Sequence, residues 1–82
     1  MSRPVVTLYT RKGCHLCDDA KQVINATRAR ADFDYEERDI DADPELLRLY
    51  NEEVPVIAID GRKAFKYRLD MNEFLKRLAA RR

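Results

Sequence analysis

The chain has no apolar run approaching the length that crosses a membrane, no excess of charge of one sign, and only two cysteines and one histidine in 82 residues. The first absence excludes a transmembrane helix. The second is as specific: 16 basic residues stand against 15 acidic ones, a formal net charge of +1. No overall field for nucleic acid or an anionic membrane follows, and neither is expected as a partner. From Met1 the chain reaches the apolar stretch at Val5 with no basic start, apolar middle and cleavage site between them. That argues against a secretory signal, and a cytoplasmic protein is expected. No repeat, low-complexity segment or linker divides the sequence, so one domain is expected over residues 1–82, with a core near the lower limit for independent folding. Arg81-Arg82 reads as a solvated tail.

The scarcity of soft ligands bounds metal chemistry. One Cys-x-x-Cys supplies two of the four ligands a closed zinc site needs, leaving His15, carboxylates or a second subunit to complete it. No metal and no cofactor is therefore expected, and metal or iron–sulfur binding stands as an alternative reading.

What the chain does have is Gly13-Cys14-His15-Leu16-Cys17, which holds both cysteines where a strand gives way to a helix. Val5–Tyr9 is a short β-branched and apolar run that reads as a buried strand, and Thr10–Gly13 is the polar turn ending it. Downstream, Leu16, Ala20, Val23, Ile24 and Thr27 share one face of a 3.6-residue period, in a helix that should fade near Arg30 or Ala31. The cysteines thus fall in its first turn, where free N–H groups and the helix dipole favour an anionic sulfur over a neutral thiol. Cys14, preceding the helix, is expected to attack, and Cys17, one turn in and partly covered, to resolve. Arg11, Lys12 and His15 bring positive charge near Cys14 while Asp18 and Asp19 bring negative charge behind it, so the signs compete. His15 reads equally as a plain surface residue.

Phe33–Ile40 begins with alternating aromatic and acidic residues and reads as a second strand, parallel to the first through a right-handed crossover. Asp43-Pro44 marks an N-cap with proline at the first helical position, opening a short helix through Tyr50 that Asn51 ends. Val54–Ile59 is the most hydrophobic run and should be a central strand. Asp60-Gly61 then turns it antiparallel onto Arg62–Tyr67, with Ala64 and its even-numbered neighbours on one side and Phe65 and Tyr67 on the other. Asp70 and Glu73 form a capping-box-like opening to a last helix carrying Met71, Phe74, Leu75, Leu78 and Ala79 on one face. The organisation is an α/β domain of order β-α-β-α-β-β-α.

This order, the Cys14–Cys17 motif after strand one and the Val54-Pro55 pair before strand three together resemble the thioredoxin fold and, more narrowly, a glutaredoxin, over nearly the whole chain. The resemblance implies a four-stranded mixed sheet of order 2-1-3-4 with three helices. It also implies a cis bond at Pro55, although proline at the first residue of a strand has a plainer trans reading. In that family the segment at Val54 pairs its backbone with a bound disulfide substrate, and a basic residue three positions before the first cysteine, here Arg11, binds glutathione. Two features depart from the pattern. The Gly-Gly-x-Asp stretch that holds glutathione is replaced by Phe65-Lys66-Tyr67-Arg68-Leu69-Asp70, with no glycine and with the Lys66 and Tyr67 side chains in the way, so glutathione is expected to be a poor ligand. The tryptophan and the buried first-strand acid of thioredoxins are absent too, with Leu8 at the acid's place.

The function implied is a monomeric dithiol-disulfide oxidoreductase acting on a protein or low-molecular-weight disulfide. Its site residues would be Cys14, Cys17, Arg11, Val54 and Pro55, and a thiol reductant, either a thioredoxin-reductase type or glutathione, would regenerate it. The remaining alternative is a non-catalytic interaction module that keeps the fold, against which the intact cysteines argue.

Overall fold

The computed structural model describes residues 3–80; the Arg81-Arg82 tail lies outside them. Two runs are apolar enough to be covered on both faces, and they form the middle of the sheet: β1 (Val5–Thr10) and β3 (Val56–Ile59), the latter buried throughout. The flanking strands are polar and form the edges. β2 (Asp34–Asp39) lies parallel to β1, and β4 (Arg62–Lys66) lies antiparallel to β3, giving the order β2-β1-β3-β4.

Alternation along the central strands sorts side chains between two layers. Val6 and Leu8 of β1 sit opposite Ile59 and Ile57 of β3, and these four join Ala20, Ile24, Phe33, Leu69, Phe74 and Leu78 in one apolar cluster. That cluster holds α1 (His15–Thr27) and α3 (Met71–Ala80) against one face. The opposite face carries α2 (Pro44–Tyr50), whose Tyr50 ring lies 4.8 Å from that of Tyr9. A single 3-10 turn, Ile40–Ala42, links β2 to α2.

Local chemistry sets the boundaries. Asp43 accepts the Glu45 N–H at 2.9 Å and caps α2, with Pro44 at its start. Asp70 accepts the Glu73 N–H at 3.0 Å, which is half of a capping box, because the Glu73 carboxylate turns to Lys76 instead at 3.4 Å. Asp60 and Gly61 both have positive φ, 52° and 83°, the conformation that a two-residue hairpin demands.

Boundaries and faces differ from the sequence reading at several points: β1 runs on to Thr10, β3 begins at Val56 rather than Val54 because the Val54–Pro55 segment lies outside the strand pairing, and β4 ends at Lys66 because Tyr67 turns away at positive φ. α1 ends at Thr27, and turn-type bonds from Arg30 and Ala31 back to the Thr27 carbonyl complete its end. β2 is trimmed to Asp34–Asp39, leaving Phe33 and Ile40 buried just outside it. Simple alternation fails in β4, where a bulge in the pairing opposite Ile57 and Ala58 lets the adjacent Ala64 and Phe65 both pack on the core. Ala79 is exposed, since Phe74 and Leu78 already fill the buried stripe of α3.

Candidate functional site: a dithiol at the start of α1

The turn after β1 must reverse direction within three residues, and Gly13 makes this possible with a φ of 77°. A Cβ at Gly13 would meet nothing within 4 Å, so the backbone angle and not lack of space is what favours glycine. The chain then enters α1 with Cys14 as its N-cap residue, in extended conformation at φ −94° and ψ 108°. A cap normally offers a side-chain oxygen to a free helical N–H. Here a sulfur does so: the Cys17 N–H donates to Cys14 Sγ at 3.2 Å. The Cys14 carbonyl in turn accepts from the Asp18 N–H at 3.2 Å.

The two thiols, both free, are differently placed. Cys14 is half-buried and reaches solvent, whereas Cys17 is 1% exposed. Burial pushes the Cys17 thiol up from its ordinary range, and its hydrogen bond to Cys14 adds to this. Bonds from the Thr10 hydroxyl and the Arg11 backbone N–H oppose the shift. Thr10 is thus part of the site. It is the last residue of β1 and is buried, where the sequence reading had it in a polar turn.

The β1–β3 register brings the Val54-Pro55 segment to the same end of the sheet. Tyr9 pairs with Val56, so the residues one step beyond that pair are Thr10 on one strand and Pro55 on the other. The Val54–Pro55 bond is cis, and Pro55 is fully buried. The Pro55 carbonyl accepts from the Tyr67 N–H at 2.8 Å, while the Val54 N–H and carbonyl meet no partner among the described residues.

Arg11 is committed within the protein. Its guanidinium reaches Asp41 through Nη2–Oδ1 at 2.6 Å and Nε–Oδ2 at 3.3 Å, and its Nη1 donates to the Asn51 carbonyl at 3.0 Å and the Asn51 side chain at 3.2 Å. This fork ties the β1–α1 turn to the 3-10 turn and to the end of α2. Neither partner was legible from the sequence, because Asp41 lies 30 residues away and Asn51 lies 40. Lys12 and His15 are exposed beside Cys14. Leu8, fully buried in the apolar cluster, stands where a thioredoxin-type acid would be. No group of three or more His, Cys, Asp and Glu placed to hold a metal occurs among the described residues, and none of their helices is long and apolar enough to cross a membrane.

Comparison with known proteins agrees with this architecture. A curated protein of Mycobacterium tuberculosis, itself uncharacterised, is 31% identical over 75 residues, covering 85% of this chain and 77% of that protein. The crystal structure of a structural-genomics target from X. campestris is 33% identical, with a TM-score of 0.77 over 94% of this chain and 99% of that one. A thioredoxin from Halobacterium salinarum, at 17% identity, shares the fold with a TM-score of 0.73 over 96% of this chain and 74% of its own. The family model described as Glutaredoxin-like domain (DUF836) matches residues 5–79, and the chain belongs to that glutaredoxin-like family of the thioredoxin fold.

Proposed function

We propose that the protein is a dithiol-disulfide oxidoreductase with Cys14 as nucleophile and Cys17 as resolving thiol. One observation carries the reading: an accessible sulfur caps α1 by accepting the N–H of the very residue whose own sulfur is buried against it. The cap fixes the Cys14 sulfur at the solvent-reaching start of α1, where a substrate disulfide can approach it. Cys14 attacks one sulfur of a substrate disulfide; a Cys14–substrate bond forms, and the other substrate sulfur leaves as a thiolate that takes up a proton. Cys17 then gives up its proton and attacks the Cys14 sulfur. The second substrate thiol departs, and a Cys14–Cys17 disulfide remains. Two electrons and two protons have passed to the substrate, and an external thiol reductant, of thioredoxin-reductase type or glutathione, returns them.

The other residues take supporting roles. The unpaired backbone of Val54 accepts an extended substrate segment as an added strand, beside buried Pro55. Arg11 braces the turn that presents Cys14, and a substrate carboxylate would have to displace Asp41 to reach it. An exposed ion pair of this kind contributes only about 0 to 1 kcal/mol, so that exchange is inexpensive. The protein works as a cytoplasmic monomer without a cofactor. Thioredoxins of the same fold support the assignment through the fold alone.

The test is a single turnover. Reduced protein mixed with a protein disulfide loses two titratable thiols as the substrate gains two, and its intact mass falls by about 2 Da. Because burial raises the Cys17 thiol, more of it ionises as pH rises above neutral, so the resolving step accelerates with pH. Loss of one thiol or none, or a resolving rate that falls as pH rises, contradicts the assignment.

A further inference from the structure

β4 ends at Lys66, and the next residue turns sharply. Tyr67 has a φ of 71°, and the Arg68 N–H donates to the Lys66 carbonyl at 2.9 Å, closing a γ-turn. A tyrosine in this left-handed region is strained. The bond from the Tyr67 N–H to Pro55, the burial of Leu69 and the Asp70 cap hold it there. The result is that Tyr67 and Arg68 stand exposed in succession on a turn pinned to the segment beside the dithiol. Val5, Leu49 and Tyr67 are the exposed large apolar residues among those described, and Tyr67 is the one bonded to that segment. Lys66 Nζ lies 5.3 Å from the centre of its ring.

Charge at this end of the sheet is unevenly committed. On the β2 side, Asp41 is neutralised by Arg11, and Asp39 and Asp43 accept backbone N–H groups. On the β4 side, Glu53 is held by Lys63 at 2.8 Å and Lys66 at 4.0 Å, and Asp70 caps α3. Asp18 and Asp19 lie behind the cysteines on α1, and Glu52 is exposed beside Val54. Lys12, next to the Gly13-Cys14 turn, and Arg68 are exposed with no acidic partner among the described residues. Lys12, adjoining the Gly13-Cys14 turn, and Tyr67 and Arg68, on the turn bonded to Pro55, are therefore exposed and uncommitted at the dithiol end of the sheet, next to a free backbone edge at Val54. Asp18, Asp19 and Glu52 are acidic groups there that also lack an ion-pair partner among the described residues.

Resting on the oxidoreductase reading, we propose that Lys12, Tyr67 and Arg68 form a docking surface for an acidic polypeptide segment adjoining the target disulfide. The substrate class is then a protein disulfide with acidic flanks. Its extended chain pairs with Val54, its carboxylates meet Lys12 and Arg68, and its side chains cover the Tyr67 ring. A polypeptide fits better than a small anionic disulfide, because the exposed ring and backbone edge extend the contact beyond the two cations.

Three synthetic peptides test this, each with one intramolecular disulfide flanked by Asp and Glu, by Ser, or by Lys. The reduced wild-type protein is expected to show kcat/KM roughly tenfold higher for the acidic than for the basic peptide at low ionic strength, narrowing as salt is added. The double variant Lys12→Glu/Arg68→Glu should reverse the order. Tyr67→Gly, which keeps the turn without steric cost, should raise KM for the acidic peptide severalfold. Equal rates on the three peptides, an order unchanged by the double variant, an unaltered KM in Tyr67→Gly, or faster reduction of oxidised glutathione than of the acidic peptide would each overturn the proposal. If the neutral peptide is reduced without any order among the three, the docking surface falls and the dithiol mechanism stands. If no peptide is reduced, both fall.

Discussion

Cys14→Ser is expected to abolish disulfide reduction, by at least on the order of a thousandfold, while leaving the fold intact. The two effects separate because of where Cys14 sits. Serine is among the preferred N-cap residues, so its hydroxyl can accept the Cys17 N–H in place of the sulfur that now does so at 3.2 Å. Thermal stability should hold or rise slightly. The chemistry is lost because a serine hydroxyl with no adjacent base is a weak nucleophile. Cys14→Ala is the informative companion: it removes both roles, and the missing cap should cost about 0.5–2 kcal/mol. Assaying reduction of a protein disulfide beside thermal melts of both variants reads the cap and the nucleophile independently. Retained turnover in Cys14→Ser would move the nucleophile elsewhere.

The second large effect is structural. Phe74→Ala should destabilise the domain by about 3–5 kcal/mol, against a total of about 4–12 kcal/mol for a chain of this size, and much of the population should unfold at physiological temperature. Phe74 is fully buried, and its ring meets Phe33 edge-on at 5.6 Å and Phe65 at 6.2 Å. It therefore joins α3 to β4 and to the approach to β2. In so short a chain no second core takes over. The exposed neighbour Asn72 serves as the comparison, since Asn72→Ala should shift stability by no more than about 0.5 kcal/mol. Thermal unfolding followed by circular dichroism distinguishes them, and equal melting temperatures would mean that the aromatic cluster does not hold the fold.

What could be read from the sequence was whatever repeats locally. The 3.6-residue stripe of α1, the Asp43-Pro44 opening of α2, the Asp60-Gly61 hairpin and the position of Cys14-x-x-Cys17 all depend on neighbours a few residues apart, and the structure has each of them. Features that depend on distant partners were not legible. The Arg11 fork closes on Asp41 and Asn51, which belong to other elements. The bulge that turns both Ala64 and Phe65 inward reflects a pairing mismatch with β3, and no alternation pattern encodes it. Tyr67 is the clearest case. The sequence shows no glycine in that turn, yet the backbone still takes a positive φ, because a bond to Pro55 from across the sheet end fixes it. Thr10 read as a turn residue because only its contact with the Cys17 sulfur reveals what it does.

Intact-mass analysis of Cys17→Ser after reaction with a protein disulfide separates attacker from resolver in one measurement. A stable adduct is expected, its mass equal to the sum of protein and reduced substrate less about two hydrogens, cleaved by added dithiol and mapped by digestion to Cys14. Absence of any adduct, with substrate still reduced at the wild-type rate, would contradict the assignment of Cys14 as attacker and Cys17 as resolver.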